Sequence, residues 1–168
     1  MSHPVVLALF DDPAAGAAAA RDLRALGIPR ERVSIVARTH DEEGVIARAS
    51  GGSPGSEMED SAGASRLAEL GAHLLASIAL VMPGIGPIVA DGPLAAGLGE
   101  AAGHLAGGLP HALERAGVSA ADAEQFQSRI RAGAVLVGAH VAQAQVQAAR
   151  DALSGAGGGQ VTLGSWPD

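Results

Sequence analysis

The sequence predicts an α/β (α+β) protein: a ferredoxin-like βαββαβ sheet with a long helical-hairpin insert between strands 2 and 3. Three observations point there. Short apolar runs alternate with helix-length stretches at both ends of the chain. The helical stretches share a phrase, AARDLRALG at 19–27 and AARDALSGAG at 148–157, which suggests two related halves. A long Gly/Ala-rich stretch separates those halves.

The first half spans residues 1–38. Val5 to Phe10 (VVLALF) is a short apolar run closed by acids and reads as a buried strand. Asp12 is the expected N-cap of the following helix, with Pro13 at its first position. Gly27 supplies a left-handed C-cap, and Pro29 keeps the helix from resuming. Val33 to Arg38 (VSIVAR) is the second strand, which completes a βαβ unit.

Residues 39–65 are rich in Gly, Ser and acids, including His40-Asp41-Glu42-Glu43, and read as a flexible linker. Residues 66–116 are the insert. Arg66 to Met82 carries Leu67, Leu70, Leu74, Ile78 and Val81 at helical spacing, with Ala68, Ala72 and Ala76 forming a second, small-residue stripe. Pro83, Gly84, Gly86 and Pro87 break this helix into a hairpin. Pro93 opens the returning limb, expected to run to Gly107. In residues 117–168, Ser119 caps a helix with Asp122 and Glu124 in its first turn. Strands at Ala134–Val141 and Gln160–Trp166 then flank a helix at Ala142–Leu153, and Trp166 anchors the tail.

The insert raises a physical question. Gly99, Gly103 and Gly107 recur every fourth residue, and Ala95 extends the row by one turn. A glycine inside a helix costs about 0.5–1 kcal/mol relative to alanine. A smooth groove that admits another backbone would offset that cost. Its expected partner is the Ala68-Ala72-Ala76 stripe, on the same chain or on a second copy.

Composition narrows the function. Hydrophobic residues make up 48% and charged residues 17%, so the chain is not disordered. It has no Cys, which excludes disulfides, thiolate chemistry and Cys-ligated zinc. Every basic residue is Arg, so neither Schiff-base chemistry nor a P-loop lysine is available. The net charge of −7, with Arg scattered, disfavours nucleic acid. No signal peptide is apparent, so the expected location is cytoplasmic. Leu74 to Ala90 carries no formal charge, which keeps a membrane-inserted hairpin as an alternative. Each limb, at about 16 residues and roughly 24 Å, falls short of a bilayer core of about 30 Å.

Local motifs are weak. Gly97-Leu98-Gly99-Glu100-Ala101-Ala102 fits the dinucleotide pattern G-x-G-x-x-A, but helix rather than strand is expected before it. Gly51-Gly52-Ser53-Pro54-Gly55 fits G-x-S-x-G, but Pro54 denies the helix that a nucleophile elbow needs. His73, His104 and His111 are the candidate metal or pH-sensing groups, the basis of a second alternative in which the chain senses a small ligand or metal. Their spacing matches no i, i+4 ligand pair, so no metal and no cofactor is expected. No pair of carboxylates is placed for acid–base work, and no catalytic residue is assigned.

PGIGPIVADGPLAA at 83–96, VVLALFDDPAAGAAAARDLRALGIP at 5–29 and GVSAADAEQFQSRIRAGAVLV at 117–137 together resemble the bacterial general stress protein 17M-like family. The resemblance implies a ferredoxin-like frame interrupted by a Gly/Ala-rich hydrophobic insert, and an association with general stress. It brings no catalytic motif. Ser119 and Phe126 stand where such proteins favour Pro and Tyr. The resulting expectation is a non-enzymatic stress-associated protein, a homo-oligomer packed through its small-residue helices.

Overall fold

A computed structural model describes residues 1–38, 78–82, 85–103 and 108–167. These form a mixed α/β structure with an antiparallel sheet between two layers of helices. The strands are β1 (Ser2–Phe10), β2 (Val33–Arg38), β3 (Ile78–Met82), β4 (Gly86–Asp91), β5 (Val135–His140) and β6 (Gly159–Pro167). The helices are α1 (Pro13–Ala25), α2 (Pro93–Gly103), α3 (Gly108–Arg115), α4 (Ala120–Arg131) and α5 (Val146–Gly155). The strands lie in the order β3-β4-β2-β5-β1-β6, with every neighbouring pair antiparallel.

Both faces of this sheet are covered, which explains why its central strands read as unbroken apolar runs. Side chains alternate across a strand, so β1 sends Val5, Leu7 and Leu9 to one face and Val6, Ala8 and Phe10 to the other. The first face packs on α2, α3 and α4, where Leu98, Leu113, Phe126 and Ile130 are buried. The second packs on α1 and α5 through residues such as Leu23 and Leu153.

The first and last segments form as their sequence dictates. The Asp12 carboxylate accepts the Ala14 N–H at 3.0 Å, which caps α1, and Gly27 beyond the C-cap has φ +85°. Ser119 Oγ accepts the Asp122 N–H at 3.1 Å and caps α4. The stretch expected to be helical from Ala142 begins with a 3-10 turn at Gln143–Gln145 and becomes α5 only at Val146.

The insert departs from expectation. Residues 78–82, assigned above to the end of a helix, form strand β3, which pairs with β4 in the register Ile78↔Ala90 to Met82↔Gly86. The turn expected to join two helices therefore joins two strands, and the insert widens the sheet from four strands to six. The misreading has a physical cause. A short, wholly apolar run such as IALVM has no polar residue to reveal its period, so periodicity alone cannot tell a buried strand from a buried helix. Of the returning limb, expected to run to Gly107, α2 covers Pro93–Gly103 and α3 begins at Gly108, while residues 104–107 lie outside the described residues.

Candidate functional site

Even-numbered residues of β2 and β5 and odd-numbered residues of β1 share the α2/α3/α4 face. At one end of that face the apolar pattern gives way to polar groups. Ser34 of β2 lies opposite Gly138 of β5, and His140 is two residues further along the same face. His3 of β1 pairs with Trp166 of β6. The register thus gathers His3, Ser34, His140 and Trp166 from four strands.

Their side chains form a chain of contacts. Ser34 Oγ lies 2.8 Å from His140 Nε2, and His140 Nδ1 lies 3.1 Å from His3 Nε2. The Leu94 N–H donates to Ser34 Oγ at 3.0 Å. A hydroxyl carries one proton and two lone pairs, so Ser34 serves the Leu94 N–H and His140 Nε2 together with either tautomer of the imidazole. The indole of Trp166 meets the His140 ring edge to face, with centroids 5.5 Å apart and planes at 88°.

Burial fixes the electrostatics. Ser34 is 0% exposed and His140 1%. Burial, with smaller contributions from His3 and Arg32, pushes the His140 imidazole down from its ordinary 6.5 to about 3. It is neutral near pH 7.

The network also starts α2. Gly92 precedes the helix with φ +82°, and a Cβ there would lie 2.4 Å from the Val33 carbonyl oxygen. Only glycine fits, so no side chain at position 92 can cap the helix. Ser34 caps it instead, from the neighbouring strand. The Gly92 N–H donates to its neighbour Asp91 Oδ1 at 2.7 Å, Pro93 has no N–H, and the Ala95 N–H reaches the Gly92 carbonyl. Every backbone donor from Gly92 to Ala95 is thereby used, leaving none for an anion.

Beyond Trp166 the surface opens into a cleft of about 300 Å³ lined by Pro93, Ala96, Gly97, Ala112, Arg115, Trp166 and Pro167. Two helices and the last strand build it. Its wall depends on Gly97, because a Cβ there would stand 2.8 Å from Trp166 Cη2. The lining mixes polar and carbon surface in nearly equal parts, and Arg115 is among its residues.

No family model matches the chain, and no curated protein or solved structure matches it either. The site therefore rests on geometry.

Several residues singled out in the sequence fall elsewhere. Ala68, Ala72, Ala76, His73, Pro83, Gly84, His104 and Gly107 lie outside the described residues. Gly99 and Gly103 lie within α2, and Gly86 and Pro87 within β4. Ala95, the first member of the small-residue row, is buried in the chain's own core with Leu94 and Leu98. His111 is exposed on α3. Among the described residues, no group of three His, Cys, Asp or Glu is placed to hold a metal, and no helix is long and apolar enough to cross a membrane. Gly97 begins no strand-to-helix turn: it sits in the second turn of α2, so the dinucleotide pattern lacks its structural context.

The residues that matter most here, Ser34, His140, His3 and Arg115, carried no motif. One signal was present: a histidine lies second in β1, at position 3, and another ends β5, at position 140, in strands that are otherwise apolar or small. Finding their meeting point requires the strand order.

Proposed function

We propose that the chain is a non-catalytic protein on a ferredoxin-like frame that binds a small ligand in the cleft walled by Trp166. The strand order β2-β5-β1-β6, with α1 and α5 on one face, supports the frame. The observation that carries the function is the position of Trp166. The chain has three aromatic residues; Phe10 and Phe126 are fully buried, whereas Trp166 is half-buried and lines an open cleft. A cleft of this size is at the small end of ligand sites, which are about 300–1,000 Å³. A non-catalytic role is supported by Ser34, a hydroxyl in contact with an imidazole: it is sealed from solvent, whereas a nucleophile must reach its substrate.

The test uses the single Trp. In 15N-labelled protein, the Trp166 indole N–H is followed while phenylacetate and phenylacetamide are added. Saturable shifts that vanish in Ala96→Phe, a bulky side chain at an exposed position of the lining, support the reading. An indole signal unmoved by both compounds overturns it.

Homo-oligomerisation through the small-residue row is a second reading. It is favoured by the continuity of α2, which keeps Gly99 and Gly103 one turn apart. Gly103→Leu should disperse such an assembly or lower its melting temperature; unchanged particle mass and melting temperature overturn this reading.

A further inference from the structure

We infer that β6 is a dimerisation edge: two copies of this chain join there, β6 against β6 and antiparallel about a two-fold axis, into one continuous sheet. The inference is independent of the cleft reading. β6 stands last in the strand order, so it pairs with β1 on one side and has no strand on the other among the described residues. Two hydrogen bonds show where its backbone points. The Ser165 N–H donates to the Ala116 carbonyl, away from β1. Pro4, opposite Ser165, has no N–H, and its carbonyl accepts from Val141, just beyond β5. Ser165 and Pro4 therefore exchange no hydrogen bond. Bonded and non-bonded pairs alternate along an antiparallel ladder. Two residues back, Leu163 and Val6 are again a non-bonded pair, so the Leu163 N–H and carbonyl also point outwards.

This edge is guarded at its ends and bare in its middle. The turn between α3 and α4 covers Ser165 through Ala116. At the other end the register is interrupted between Leu7 and Leu9, opposite which Gln160 has φ +55°. Between these guards lie Val161, Thr162, Leu163 and Gly164, with neither a charge nor a proline to block pairing. Leu163 is 47% exposed in mid-strand. The other exposed large apolar residues among those described, Met1 and Leu26, lie outside the strands and helices.

Charge selects a second copy as the occupant. At a net charge of −7, two chains repel one another on most approaches. Residues 152–167 carry no charge, so identical strands can meet here without opposing like charges. A basic partner would call for acids along the edge, and this stretch has none. Antiparallel pairing about a two-fold axis makes the edge its own complement, and the closed pair uses the edge up instead of propagating. The open stretch is short, so association should depend on concentration.

Sedimentation equilibrium of the full chain reads the mass, which should rise from one chain to two between about 1 μM and about 1 mM protein. Leu163→Lys places two cations near the axis. Leu163→Pro deletes an outward N–H that the β1–β6 ladder does not use. Each variant should associate at least about tenfold more weakly than the wild type, with unchanged far-UV circular dichroism. The lysine variant keeps the test sound if proline perturbs the strand, since position 163 is exposed. In the wild type, protection of the Leu163 amide from hydrogen exchange should rise with the fraction of dimer. Gly103→Leu should leave this dimer intact. A single chain at every concentration, a dissociation constant unchanged in Leu163→Lys, or a Leu163 amide that exchanges alike in monomer and dimer would each overturn the inference. A dimer lost in Gly103→Leu but kept in both Leu163 variants would overturn it in favour of the small-residue row.

Discussion

Gly97 and Trp166 occupy one another's space: the edge of the indole lies 2.8 Å from where a Gly97 Cβ would sit. The last strand is thereby locked to the second turn of α2, and the glycine is kept despite its cost inside a helix. Alanine would ordinarily gain about 0.5–1 kcal/mol at such a position. Here Gly97→Ala should instead destabilise by about 1–3 kcal/mol, because the ring must shift to admit the methyl and in doing so disturbs its edge-to-face contact with His140. Denaturant unfolding together with the Trp emission maximum checks this. A variant as stable as the wild type, with unchanged emission, would show that the ring has room to move.

The contact between Ser34 and Leu94 joins a strand to a helix that cannot cap itself. Ser34→Ala removes the acceptor of a buried N–H and a hydrogen-bond partner of a buried imidazole in one step. The expected loss is about 2–4 kcal/mol, combining a lost cap with unsatisfied buried groups. Asp12→Ala removes a solvent-exposed cap and should cost only about 1 kcal/mol. Amide exchange locates the effect: in Ser34→Ala the protection of α2 should fall first, with α1 unaffected. Equal losses in the two variants would mean that burial adds nothing to the Ser34 cap.

Gly92 sets a stricter limit than either. Its positive φ strains any other residue, and a Cβ would strike main chain at Val33 and Ser34, which cannot swing aside as a side chain can. Gly92→Ala is expected to cost about 3–5 kcal/mol, more than Gly97→Ala. The two melting temperatures measured side by side test the ranking; a milder effect at 92 than at 97 would contradict it.

The sequence disclosed the frame more readily than the site, and particular residues show why. Asp12, Gly27 and Ser119 act locally, through capping groups a few residues from the backbone they serve, so their roles could be read directly. Ile78 to Met82 could not be assigned in the same way, since a strand with no polar residue has no visible period. The row Ala95-Gly99-Gly103-Gly107 drew attention by its regularity, whereas the close approach of Gly97 to Trp166 follows no pattern in the sequence. The two are 69 residues apart. Ser34 and His140 are 106 residues apart and meet only because β2 and β5 are neighbours. Long-range pairing decides the site, and nothing local announces it.

The neutral state of His140 makes stability depend on pH with a definite sign. Its folded pKa of about 3 lies below the ordinary 6.5. Between those values the unfolded chain binds the proton and the folded chain does not, so acidification favours unfolding. The contribution is fully present near pH 7 and above. It declines as pH falls below about 6.5, with a limiting slope of about 1.4 kcal/mol per pH unit, and levels off near the folded pKa. Carboxylates also titrate in the acid part of this range, so the informative quantity is a difference. Urea unfolding of the wild type and of His140→Gln, measured from pH 8 to pH 5, should give curves whose separation narrows as pH falls. Glutamine cannot take up the proton, so its unfolding lacks this slope even if the variant starts less stable at pH 8. A separation constant with pH would mean that His140 binds its proton equally well in both states, and that the Ser34–His140 contact does not require a neutral ring.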